Sequence, residues 1–180
     1  MNNIEFTPFP KMARLSREII ITEKIDGTNG QILITENGKI QAGSRNRWIT
    51  IKDDNYGFAK WVEENKEELL KLGIGRHYGE WWGKGIQRGY NIQEKRFSLF
   101  NTKRWEGKEL PECVRLVPVL YEGDFLSNTI NLILHDLERN GSFAAPMYMN
   151  PEGIVIYHTA ANICFKKTIK NDEVPKSKIL

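Results

Sequence analysis

The sequence predicts an α+β domain, rich in antiparallel strands and covered by a few helices. Short apolar, β-branched runs recur between Gly-, Asn- and Asp-containing turns, which is the pattern of strands joined tightly. Only two stretches carry apolar residues at helical spacing. Taken in order, residues 18–24 and 31–35 flank Asp26-Gly27 and are expected to pair as strands. Asn37-Gly38 marks a second tight turn into a strand near 39–43. From Asp54 to Leu72 the repeat is helical: Phe58, Trp61, Val62, Leu69 and Leu70 fall near one face, and Gly73 is placed to end the helix. Strands are expected again near 76–82, 96–101 and 116–121. A second helix is expected from Ser127, as N-cap, to Arg139, with Gly141 after it. Two strands, about 153–158 and 162–168, close the chain around Thr159-Ala160-Ala161.

A chain of 180 residues without linker, repeat or low-complexity segment is expected to be a single domain, 1–180. Its 40% hydrophobic and 27% charged residues describe an ordinary soluble globule. A net charge of +3 permits a nucleic-acid partner without arguing for one, because a local groove matters more than the total. Cys113 and Cys164 give neither a disulfide framework nor zinc spacing, and are expected to be core thiols in a reducing compartment. His77, His135 and His158 lack ligand spacing. No run approaches the roughly 18 apolar residues of a membrane span, and Met1-Asn2-Asn3-Ile4-Glu5 is no signal peptide. The expectation is a cytoplasmic protein with no membrane partner.

Six clusters carry chemistry. Lys24-Ile25-Asp26-Gly27-Thr28-Asn29 puts a lysine at the end of a strand, before a glycine turn. Held there it can face a phosphate, and as a neutral amine it is a nucleophile. Gly43-Ser44-Arg45-Asn46-Arg47 offers planar guanidinium forks that suit phosphate, although a solvated basic turn reads the same way. The stretch Tyr78 to Tyr90 sets Glu80 among glycines and Trp81-Trp82; Glu80 suits ribose hydroxyls, and at least one tryptophan is expected inside. Arg96-Phe97-Ser98-Leu99-Phe100-Asn101 alternates as a strand with a ring at its exit that can stack on a purine. Pro151-Glu152-Gly153 opens a strand with a carboxylate suited to a hard cation. In Phe165-Lys166-Lys167-Thr168 neighbouring side chains diverge, so only one lysine can share a pocket with Lys24.

Each cluster alone has an ordinary structural explanation. In this order they resemble the covalent nucleotidyltransferase superfamily of ATP-dependent ligases and capping enzymes. Glu23 before the lysine and Thr28-Asn29 after it are closer to the RNA-repair ligase family, and Gly79 to Tyr90 with Glu94-Lys95-Arg96-Phe97-Ser98-Leu99-Phe100-Asn101 resembles its compact bacterial and phage branch. The resemblance spans about residues 20 to 170. It implies an antiparallel β-rich adenylation domain that uses ATP and Mg²⁺. Lys24 would take AMP, pass it to an RNA 5′-phosphate, and a 3′-hydroxyl would seal the join. It further implies Glu23 by the adenine, Arg45 on phosphate, Glu80 on the ribose and Phe100 stacked on the adenine. Glu152 would place the metal, Lys166 would contact the α-phosphate, and Asn29 would act in sealing. Two departures stand out: Asn101 follows Phe100 where many relatives have Asp, and Lys166-Lys167 are adjacent where relatives space two lysines by one residue. The role of Lys167 stays open. The chain is expected to lack the C-terminal domain with which larger ligases engage RNA, and a partner protein could replace it. The rival readings are a related enzyme acting on DNA nicks or caps, and a non-catalytic RNA-binding module using Trp81, Trp82 and basic residues as a platform.

Overall fold

The computed structural model describes residues 5–174. In chain order these form β1 (Glu18–Lys24), β2 (Thr28–Ile34), β3 (Ile40–Gly43), α1 (Phe58–Glu64), α2 (Lys66–Leu70), β4 (Gly75–Gly83), β5 (Lys95–Leu99), β6 (Val114–Leu116), β7 (Val119–Asp124), α3 (Thr129–Asn140), β8 (Gly153–His158) and β9 (Ile163–Thr168). A 3₁₀ turn at Thr102–Trp105 follows β5. One sheet has the order β7-β1-β8-β9 and the other β3-β2-β4-β5-β6. Pairing is antiparallel throughout except between β5 and β6. The α+β class is as the sequence predicts.

The first expected hairpin is not one. β1 pairs with β7 and β8, whereas β2 pairs with β3 and β4. Ile25-Asp26-Gly27 therefore carries the chain from one sheet to the other. Ile25 is buried beside Trp82, Tyr90 and Val117, and the Asp26 amide donates to the Tyr90 hydroxyl at 2.7 Å. A Cβ on Gly27 would lie 2.4 Å from the Trp81 carbonyl oxygen, so only glycine allows this approach. Long-range packing, invisible in a local pattern, overrides the turn signal.

The 54–72 helix is shorter and broken. Asp54 stays outside it and accepts the amides of Ala59 at 2.7 Å and Lys60 at 3.1 Å. Asn65 separates α1 from α2, its side chain bonded to the Trp61 carbonyl at 2.8 Å. The 116–121 strand divides too: Pro118 separates β6 from β7, which belong to different sheets. The second helix begins after Asn128 rather than Ser127, and Gly141 ends it.

Each sheet packs one face against helices. Ile32, Trp81, Phe97 and Leu99 of the five-stranded sheet pack on Phe58, Val62 and Leu69. Ile19, Ile21, Ile154 and Ile156 of the four-stranded sheet pack on Leu137 of α3. Trp82, on the other side of its strand from Trp81, joins the third cluster at the crossover. Both tryptophans are therefore inside, at 2% and 1% exposure, and neither offers a surface platform. Cys113 is half-buried, but Cys164 is exposed on β9 and is no core thiol. His158 is buried, with Nε2 on the Leu15 carbonyl and Nδ1 accepting from the Ala161 amide. Among the described residues no helix is long and apolar enough to cross a membrane.

Candidate active site

Lys24 is the last residue of β1, opposite Gly153 of β8, which in turn lies opposite Thr168 of β9. Its Nζ is 2.5 Å from Glu152 Oε2, with the lysine side chain 24% exposed and the carboxylate 8%. The amine thus reaches solution while its partner is shielded. A Cβ on Gly153 would lie 2.2 Å from the Lys167 carbonyl oxygen, so the position between Lys24 and Thr168 stays bare. Arg88 braces this arrangement. Its Nε donates to Asp26 Oδ2 at 2.9 Å, and its terminal nitrogen to the carbonyls of Asn150 at 2.8 Å and Pro151 at 3.2 Å. One guanidinium therefore ties the crossover after Lys24 to the segment before Glu152.

The opposing wall comes from the second sheet. Asn29, Glu80 and Ser98 are level across β2, β4 and β5 and share a face. Glu80 accepts from the Gly27 amide at 3.0 Å and from Asn29 Nδ2 at 3.2 Å. Its carboxyl is pushed up to about 7. Burial is the largest cause and the Glu152 and Asp26 charges add to it, while Lys24 and the Gly27 amide oppose it. Phe100 extends β5 on that face, its amide bonded to the Tyr78 carbonyl at 3.0 Å and its ring 41% exposed. Trp82 lies behind, donating to Ser98 Oγ at 3.0 Å.

Strand parity sorts the remaining candidates. Lys166 lies opposite Val155, which lies opposite Thr22, so it shares the face of Lys24. Lys167 lies opposite Ile154 and Glu23 on the other face, with its ammonium 3.6 Å from Asp172. Glu23 also points away from Lys24. It accepts from Ser142 Oγ at 2.6 Å and from the amides of Phe143 at 2.8 Å and Ala144 at 2.9 Å. Burial raises its carboxyl above the ordinary range, against those three bonds. Both its oxygens are engaged, so a contact between residue 23 and a base would fall to the backbone. Arg45 is exposed on the loop after β3, with no ion pair among the described residues, while neighbouring Arg47 is paired with Asp53.

Lys24, Glu152, Glu80 and Asn29 are thus joined through the 26–29 crossover, Lys166 and Phe100 share their faces, and Glu23, Lys167 and Arg45 lie apart. Sequence reasoning missed Asp26, Arg88, Tyr90 and Ser142 as supports. Arg88 and Tyr90 lie in the glycine-rich 79–90 stretch already singled out, whereas Ser142 carries no signal in the sequence. No cluster of three or more metal-ligating side chains occurs among the described residues.

A family model described as RNA ligase matches residues 17–171. The chain belongs to the RNA ligase family. Solved structures of the Naegleria gruberi RNA ligase share the fold. One mutant with ATP and Mn is 18% identical, with a TM-score of 0.62, covering 87% of this chain and 51% of that one. Another, with AMP and Mn, is 18% identical at a TM-score of 0.60, covering 86% and 50%. The enzyme with PPi is 19% identical at 0.60, covering 85% and 50%. The family member described here thus spans about half the length of those chains. Comparison with curated proteins gives no match.

Proposed function

We propose that this chain is an ATP-dependent RNA ligase that works through a lysine–AMP intermediate. The observation that carries the reading is Lys24, solvent-accessible and 2.5 Å from Glu152, set beside the Glu80–Asn29 pair. Lys24 Nζ attacks the α-phosphorus of ATP; a P–N bond forms, the α–β P–O bond breaks, and pyrophosphate leaves. An RNA 5′-phosphate oxygen then displaces Lys24, and a 3′-hydroxyl displaces AMP. Glu80 holds the ribose hydroxyls, Phe100 stacks on the adenine, and Lys166 meets the α-phosphate on the face it shares with Lys24. Asn29, tied to Glu80, serves the sealing step.

Before the P–N bond forms, Lys24 must lose a proton, and in the free protein its Nζ is held in an ion pair with Glu152. Once Glu152 is engaged elsewhere that restraint is lifted. Mg²⁺ fits this donor set: it takes one or two carboxylates together with substrate phosphates, and a single shielded carboxylate, Glu152, stands at the nucleophile. Bound there, it would neutralise phosphate charge and ease the departure of pyrophosphate. The chain's own part is mostly positioning, through Arg88 and the crossover.

The test is to incubate the protein with ATP labelled on the α-phosphate, and separately with labelled GTP, then run denaturing gels. A protein–AMP adduct that discharges onto 5′-phosphorylated RNA at a nick supports the proposal. Absence of any adduct overturns it, and discharge onto DNA alone would replace RNA as the substrate.

A further inference from the structure

The face that carries Glu80 continues along β4 through Tyr78 to Arg76, residues that alternate on one side of the strand. There Arg76, Tyr78, Phe100, Asn101 and Arg104 line a cavity of about 280 Å³ at the strand ends, where His77 and Trp105, from the other side of the sheet, also reach its wall. The volume is just below the roughly 300–1,000 Å³ of drug-sized ligand pockets, room for no more than one nucleotide. Tyr78 and Phe100 are 52% and 41% exposed, so both rings are open to a base at this cavity. Arg47, Arg88 and Arg96 each pair with a carboxylate, but among the described residues Arg76 and Arg104 pair with none. Instead they lie over the rings of Trp48, at 5.4 Å, and Trp105, at 5.6 Å. Arg104 also hydrogen-bonds the Arg76 carbonyl, at 3.5 Å, holding the pair together. Two unneutralised guanidiniums beside exposed rings are the complement of a phosphate and a base.

We propose that this cavity is a second nucleotide subsite, which takes an unpaired nucleotide of the RNA strand: base on Tyr78, phosphate on Arg76 and Arg104. It rests on the ligase reading above and deepens it. Two residues along a strand is about 7 Å, so Tyr78 begins where the proposed ribose contact at Glu80 ends. Phe100 forms the wall between the two subsites. The AMP site would then use one side of this ring and the RNA the region beyond it.

The test separates the subsite from the ligase reading by assaying two steps. Tyr78→Ala and Arg104→Ala are expected to form the lysine–AMP adduct at the wild-type rate. Sealing of pre-adenylated RNA, which bypasses that step, should show KM raised about 10-fold or more, the scale of losing one base stack. Single-stranded oligoribonucleotide binding, read by fluorescence anisotropy, should weaken alike, and Arg104→Ala should flatten its salt dependence. Tyr78→Phe keeps the ring and should restore sealing. Sealing and binding at wild-type levels in both alanine variants would overturn the subsite and leave the ligase intact. Loss of adenylation with a raised KM for ATP would also overturn it, by assigning the cavity to ATP. A wild-type protein that forms no adduct yet binds RNA through Tyr78 would fail the ligase reading alone.

Discussion

Replacing Glu80 with glutamine isolates the electrostatic cost of the site. The buried carboxyl is pushed up from 4.5 to about 7, so between those values the folded chain holds a proton that the unfolded chain has released. Where the native state binds more protons, stability falls as pH rises. The contribution is therefore fully present below pH 4.5 and gone above about 7. Each pH unit is worth about 1.4 kcal/mol, so the whole interval amounts to roughly 3 kcal/mol for this one group. Glutamine has nearly the same shape. Its oxygen can accept from the Gly27 amide, and its nitrogen can donate to Asn29 once that amide turns over. Urea unfolding of both proteins without nucleotide, at pH 5 and pH 8, gives the double difference, in which other titrating groups cancel. The wild type should lose roughly 2–3 kcal/mol relative to Glu80→Gln between those pH values, making the variant the more stable protein at pH 8. Parallel pH dependence, within about 0.5 kcal/mol, would refute the argument that Glu80 is held in the fold at a desolvation cost. The same variant should bind ATP more weakly at pH 8, because the ionised acceptor assigned to the ribose is gone.

Other outcomes follow from the same geometry. Lys24→Arg keeps a cation beside Glu152 but cannot act as a neutral nucleophile; stability should stay within about 1 kcal/mol while the AMP adduct disappears from the gel. Lys166→Ala should slow adenylation at least roughly 100-fold, the scale of losing one transition-state donor. Lys167→Ala, which removes only the partner of Asp172, should adenylate at the wild-type rate, and the reverse pattern in gel assays would refute the sorting by strand parity. Glu23→Ala strands the buried Ser142 hydroxyl and the part-buried Phe143 and Ala144 amides and should cost roughly 3 kcal/mol or more in urea unfolding. A loss under about 1 kcal/mol would mean that the 142–144 loop does not depend on Glu23.

The parts of the site legible in the sequence are those set by period-two geometry. Adjacent strand residues diverge, so Lys166 and Lys167 had to part, and the ladder from Thr22 through Val155 puts Lys166 on the face of Lys24. The same rule applied one residue earlier would have turned Glu23 away from the lysine, toward whatever covers the opposite face. What it faces, the loop after α3, lies about 120 residues downstream, and no local pattern announces such a contact. The crossover failed for a related reason. Strand, Asp-Gly and strand favour a hairpin by local chemistry. The competing arrangement draws on partners that are far off in sequence: Tyr90 for the Asp26 amide, Trp81 against Gly27, and Arg88 reaching from Asp26 to the segment before Glu152. A hairpin would have kept Lys24 and Asn29 in one sheet. The crossover divides them, so Lys24 stands on one wall and the Glu80–Asn29 pair on the other, with the chain between them too short to let the walls drift apart. The residues that defeat the hairpin expectation are thus the ones that turn two sheets into a cleft.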